Sequence, residues 1–114
     1  MDIARYEMRA QVLKAMAHPA RLVMVEALAE GEKCVCELQK LVGLAMPTVS
    51  RHLSQMKNAG IVACRREGNQ IYYRLLVPCV MNVFDCLDEV LADERRGSAA
   101  CTVCLPRRRV RTGA

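Results

Sequence analysis

The sequence predicts a mainly α-helical domain that carries one β-hairpin. Apolar residues recur at helical spacing in five segments. A Gly turn at Gly43 joins the third segment to the fourth, and two β-rich runs flank Gly68-Asn69 between the fourth and the fifth. The expected order is four helices, a two-stranded hairpin and a last helix.

The first helix is expected from Asp2 to Ala17, with Ile3, Tyr6, Val12, Leu13 and Met16 as an incomplete apolar stripe. His18-Pro19 interrupts it. Proline in the first turn of a helix wastes no hydrogen bond, so a second helix runs from Pro19 to Ala29, with Leu22, Val25 and Leu28 inward. Glu30-Gly31-Glu32 ends it. A short helix from about Cys34 to Val42 turns Val35, Leu38, Leu41 and Val42 inward, and Gly43-Leu44 makes the turn. The fourth helix carries Met46, Val49, Leu53 and Met56 on one stripe, and Gly60 is placed to cap it. Ile61–Arg66 and Gln70–Leu76 read as strands. In the second, Ile71, Tyr73 and Leu75 alternate with Tyr72 and Arg74, which suits a sheet wet on one face. Pro78 opens a last helix to about Arg95 whose apolar stripe is broad enough, with the first helix, to form a dimer interface. Residues 1–96 are thus expected as one domain. Residues 97–114, small, polar and basic, are expected as a flexible tail.

A chain of 114 residues is one domain by size, and a domain this small is often steadied by dimerisation. With no Trp and one Phe, the core must be aliphatic and rich in Met. No apolar run approaches the roughly 20 residues of a membrane span, and the N-terminus lacks the basic head and apolar centre of a signal peptide. These features predict a cytoplasmic protein with no membrane partner. Seven Cys is many for a reducing compartment, and the odd number argues against a closed disulfide framework. Cysteines at short spacing there are more often metal-binding or redox-active. Cys64, Cys79 and Cys86 sit in apolar patterns and read as small core residues.

The net charge of +5 is unevenly placed. Past Arg96 stand Arg107, Arg108, Arg109 and Arg111 with no acid. From Met46 to Arg74, five basic residues face one acid, whereas from Pro78 to Arg96 two face five. One part of the body attracts phosphate and another repels it. The attractive part coincides with the helix-turn-helix pattern. On the fourth helix the face opposite the apolar stripe shows Thr48, Ser50, Arg51, Ser54, Gln55 and Lys57, and His52 is counted with that face. Such side chains reach base edges or phosphates. The hairpin adds Arg65, Arg66 and Asn69 at its tip, as a wing. A polar helix face alone is merely a solvated face. The ordered set of helix, turn, helix and basic hairpin points to double-stranded DNA.

Ala17-His18-Pro19-Ala20-Arg21-Leu22, Cys34-Val35-Cys36-Glu37-Leu38, Pro47-Thr48-Val49-Ser50-Arg51-His52-Leu53 and Arg66-Glu67-Gly68-Asn69 before Tyr72-Tyr73 together resemble the ArsR/SmtB family of winged-helix metal-sensing repressors, over about residues 10–92. The resemblance implies a winged helix-turn-helix, a homodimer joined through its first and last helices, and a repressor that leaves its operator when an inducer binds. It implies no enzyme activity and no organic cofactor. One departure is the position before Pro47: family members often cap the recognition helix there with Ser, and this chain has Ala45-Met46.

Cys34 and Cys36 are the candidate sensor. On a continuous helix a spacing of two turns side chains about 200° apart. To grip one ion, the pair must therefore lie where the helix has not fully begun, or the ion must unwind its first turn. Thiolates select soft or borderline ions. Within the family, Cys-Val-Cys on this helix looks like a site for As(III) or Sb(III), and also for Cd or Pb. Sites of the arsenite type commonly add a third Cys three residues on, where this chain has Gln39. The missing ligand is expected from Cys101 or Cys104 of the tail. The family's other metal site, on the last helix, needs His; this chain has Asp85 there and no His after His52. Two other readings remain open. One is a redox or persulfide sensor pairing Cys34 or Cys36 with a tail Cys. The other is a dithiol enzyme using Cys101-X-X-Cys104, disfavoured because the motif lacks the βαβ setting such enzymes use.

Overall fold

The computed structural model describes residues 1–96. The expected tail, with Cys101 and Cys104, lies outside the described residues. The elements in order are α1 (Ile3–Met16), α2 (Pro19–Ala29), β1 (Lys33–Cys34), α3 (Val35–Val42), α4 (Met46–Asn58), β2 (Val62–Glu67), β3 (Gln70–Leu75) and α5 (Val80–Arg96). They fall into two compact units, one of residues 1–78 and one beginning at Cys79.

In the first unit the helices and the hairpin share one core. Met16 closes α1, and Met24, Val25, Ala27 and Leu28 come from α2. Leu38 of α3, Val49, Leu53 and Met56 of α4, and Ile61, Val62 and Tyr73 of the hairpin complete it. The expected stripes pack on α2 and α4, whereas of the expected α1 stripe only Met16 is buried and Ile3, Tyr6 and Leu13 are exposed. Met24, with no exposed surface, joins Val25 and Leu28 on α2, while Leu22 is only half-buried. Leu41 differs from its expected inward position. It is 52% exposed and lines a cavity of about 340 Å³ with Pro19, Val23 and Leu44. An eight-residue helix has two full turns, so one face, centred on Leu38, is all it can bury.

The turns follow from backbone chemistry. α3 ends at Gly43 in the left-handed region, φ 72°, with its N–H on the Gln39 carbonyl at 2.8 Å. Gln39 also donates from Nε2 to the Leu44 carbonyl at 3.2 Å, pinning the turn between the two helices. α4 ends in a Schellman arrangement. The Ile61 N–H reaches back to the Met56 carbonyl and the Gly60 N–H to Lys57, both at 3.0 Å, with Gly60 at φ 84°. At its other end α4 starts from Ala45, extended and without a side-chain cap, with Pro47 in the first turn.

The sheet has three strands in the order β1-β3-β2, all antiparallel. β2 and β3 form the expected hairpin, with Arg65 opposite Tyr72 and Glu67 opposite Gln70, turning at Gly68. β1 adds a two-residue edge, Lys33 opposite Tyr73 and Cys34 opposite Tyr72. So Cys34, expected to start a helix, belongs to a strand.

In the second unit α5 is an amphipathic helix whose Val83, Leu87, Val90 and Leu91 are each 41 to 50% exposed. Cys79 and Cys86, expected as small core residues, are exposed; Cys64 on β2 is half-buried. Among the described residues, no helix is long and apolar enough to cross a membrane.

Candidate nucleic-acid interface and thiol site

The α4 stripe of Val49, Leu53 and Met56 fixes which way the helix faces. Ser50, Arg51, Ser54, Gln55 and Lys57 are consequently exposed, and Thr48 is half-exposed. Arg66 and Asn69 at the wing are exposed as well. These residues form one polar, basic set on the recognition helix and the hairpin tip.

His52 does not belong to that set. Its side chain is 6% exposed, and its ring lies 4.4 Å, centroid to centroid, from the His18 ring. Arg21 Nε donates to His52 Nδ1 at 2.9 Å, so that nitrogen carries no proton. Burial first, then the positive surroundings of His18, Arg21 and Arg51, holds the imidazole below its ordinary pKa. The expectation that His52 faces DNA is corrected by position: three residues after Val49 and four before Met56, it falls on the buried stripe.

Arg21 is the hub of this polar knot, and nothing in the sequence reading singled it out beyond its place in the motif. Besides His52, it donates from Nη1 to the Ala15 carbonyl at 3.0 Å and from Nη2 to Gln55 Oε1. One guanidinium thus ties α2 to the end of α1 and to α4. His18 begins α2 as its N-cap, its Nδ1 accepting from the Ala20 N–H at 3.1 Å.

Arg65, expected at the tip of the wing, has a half-exposed side chain paired with carboxylates. Its three nitrogens each donate to a carboxylate: Nε and Nη2 to Glu32 at 2.9 and 2.8 Å, and Nη1 to Glu67 at 2.6 Å. Its guanidinium carbon lies 4.8 Å from the Tyr72 ring centroid. The pairing pushes the Arg65 pKa up and holds the Glu32 carboxyl below its ordinary range, the hydrogen bond to Arg65 being the main cause. Its charge is engaged within the protein.

The thiols stand at the junction of β1 and α3. Cys34 has extended backbone, φ −81° and ψ 161°, and is the N-cap of α3. Glu37, three residues on, returns its carboxylate to the Cys34 N–H at 2.9 Å, one half of a capping box. That bond, with a second from the Cys34 side chain, keeps the Glu37 carboxyl below its usual range. Cys36 is exposed on the first turn of α3, its Sγ 3.8 Å from Gln70 Oε1. Because Cys34 stands outside the helix, the opposed directions of an intact helix do not bind the pair. Among the described residues no group of three or more His, Cys, Asp and Glu is arranged to hold a metal ion. Cys34 and Cys36 supply two thiols, and any third ligand must come from elsewhere. Gln39, standing where a third Cys is usual, has the turn as its task.

Comparison with known proteins agrees with this geometry. The family described as bacterial regulatory protein, arsR family, matches residues 18–63, from the start of α2 into β2. An HTH-type transcriptional regulator of Methanocaldococcus jannaschii is 37% identical over 87 residues, covering 75% of this chain and 98% of that one. The arsenic resistance transcriptional regulator ArsR1 of Pseudomonas putida is 48% identical over 65 residues, covering 56% of this chain and 51% of the regulator, so the match spans about half of that relative's length. Among solved structures, a homodimeric winged helix-turn-helix DNA-binding domain of Mycobacterium bovis superposes with a TM-score of 0.67 at 36% identity, covering 82% of this chain and 85% of that one. The AntR antimony-specific transcriptional repressor gives 0.67 at 31% identity, covering 83% and 86%. The recognition helix, the wing and these relatives place the chain in the ArsR family of winged helix-turn-helix transcriptional repressors.

Proposed function

We propose that this repressor binds its operator as a homodimer and leaves it when As(III) or Sb(III) is bound by Cys34 and Cys36. The observation that carries the reading is the placement of Cys34 in extended backbone immediately before α3, with Cys36 on the first turn. The two sulfurs can approach one ion without unwinding a formed helix. They do so at the start of the helix that precedes the recognition helix. The arsenic and antimony regulators among the relatives support the metalloid class. The third ligand is assigned to Cys101 or Cys104, and Cd and Pb are the other soft ions such a site takes.

DNA is read by Thr48, Ser50, Arg51, Ser54, Gln55 and Lys57 of α4, with Arg66 and Asn69 from the wing. The dimer forms through α1 and α5. Both carry apolar side chains exposed in the single chain, among them Ile3, Tyr6 and Leu13 at 51 to 58% on α1. The homodimeric relative supports a dimer.

The test is operator release, followed by fluorescence anisotropy, across arsenite, antimonite, cadmium, lead, zinc, peroxide and polysulfide. Arsenite is expected to release the wild type and not the Cys34→Ser, Cys36→Ser double variant. A double variant that responds normally overturns the thiol assignment. Release by oxidant or polysulfide without metal transfers the same thiols to a redox role. Arg51→Ala is expected to weaken operator binding and to lower the slope of log affinity against log salt by about 0.9, the contribution of one phosphate contact. Unchanged affinity at matched salt removes Arg51 from the interface.

A further inference from the structure

The thiol-bearing segment is built into the wing by contacts that a helix-turn-helix does not need. β1 pairs Cys34 with Tyr72 and Lys33 with Tyr73. One residue before β1, Glu32 takes Arg65 of β2 in a two-point grip at 2.8 and 2.9 Å. The guanidinium lies over Tyr72, the residue opposite both Cys34 and Arg65 in the sheet. One side chain therefore spans all three strands, from two residues before Cys34 to the outer strand of the hairpin. Cys36 touches the same hairpin through Gln70, the first residue of β3.

We propose that the Glu32–Arg65 pair is a strap that makes the wing follow Cys34, with Arg65 acting as a positioning residue rather than a phosphate contact. The inference rests on reading Cys34 and Cys36 as the sensing thiols. The β1–β3 ladder is two residues long, and each of its hydrogen bonds contributes only about 1 kcal/mol, so turning Cys34 towards an ion alongside Cys36 peels β1 at small cost. Glu32, two residues away, moves with it. The grip is bidentate, so its fork geometry transmits direction, although its half-exposed setting gives it little strength of its own. Arg65 is drawn along, and with it β2, whose other end leads to Arg66 and the hairpin tip. Glu32 and Glu67 together leave no nitrogen of Arg65 without a carboxylate partner.

Glu32→Gln keeps the shape of the side chain and removes its charge. The full chain is treated with dibromobimane, which bridges two neighbouring thiols, and bridging at Cys34 and Cys36 is checked by peptide mass. The bridge displaces Cys34 whatever the natural inducer. Bridged wild type is expected to lose operator affinity on the order of tenfold, and bridged Glu32→Gln about threefold or less. Equal losses in the two proteins, or no loss in bridged wild type, overturn the strap. Independently, Arg65→Ala is expected to leave the salt slope of operator binding unchanged; a fall of about 0.9 makes Arg65 a phosphate contact and overturns the positioning role. If bridging releases the wild type more than Glu32→Gln and arsenite releases neither, the metalloid reading fails and the strap stands.

Discussion

Replacing Arg21 with alanine breaks the polar attachment of α4 to α2 and α1 in one step. Three hydrogen bonds are lost, to His52 Nδ1 at 2.9 Å, to the Ala15 carbonyl at 3.0 Å and to Gln55 Oε1. They are not equal. His52, 6% exposed, is left with an unpaired ring nitrogen, a loss of about 1–3 kcal/mol. The Ala15 carbonyl, part-buried near the end of α1, loses a charged donor for about 1 kcal/mol. The bond to Gln55 is exposed, and water replaces it at little cost. The sum is about 2–4 kcal/mol, a large fraction of the stability of a small domain. With a urea dependence of about 2 kcal/mol per M, the midpoint falls by about 1–2 M, measured by far-ultraviolet circular dichroism at one protomer concentration. Arg21→Lys keeps the charge but lacks the fork that reaches separate acceptors, so it recovers only part of the loss. A midpoint for Arg21→Ala indistinguishable from wild type refutes the hub, and so does full recovery by lysine.

His52 gives the fold a pH dependence of known sign. Its folded pKa lies below the ordinary 6.5, so the unfolded chain takes up the proton first; the contribution is intact above about pH 6.5 and is lost as pH falls through the folded value. Urea midpoints at pH 7.5 and 5.5 are expected to differ more for wild type than for His52→Gln, and equal differences sink the assignment. Leu53→Ala, at a site with no exposed surface, is expected to lower stability by about 2–5 kcal/mol, read from the same denaturation curves. Gly60→Ala places a Cβ at φ 84° where nothing lies within 4 Å, so its cost of about 1 kcal/mol is conformational alone. A Gly60→Ala midpoint equal to wild type contradicts the left-handed cap.

Periodicity made the helices legible. α2 begins and ends where Pro19 and Ala29 mark it, and the α4 stripe orients the recognition helix without any tertiary information. The hairpin was legible from alternation around Gly68. Three features were not read. β1 has two residues, too short for any period, and its partners lie 38 and 40 residues further on. The engagement of Arg65 depends on Glu32, distant in sequence and brought near by that same strand. Leu41 shows that an apolar residue on a two-turn helix need not find the core. His52 is different, because its spacing from Val49 and Met56 already placed it on the packed face. Its polarity argued for the surface, and the Arg21 donor that makes its burial tolerable is 31 residues away.

The aromatic-poor core has a consequence for how the protein ages. Met24 and Met56 belong to it with no exposed surface, where Leu or Phe would resist peroxide. Shielded thioethers meet oxidant only when the domain opens, so their oxidation rate reports the frequency of opening. Conversion to the polar sulfoxide then prevents the same core from closing again. Under oxidant, each excursion that uncovers Met24 and Met56 becomes a ratchet, so oxidation at these two positions counts how often that core breathes.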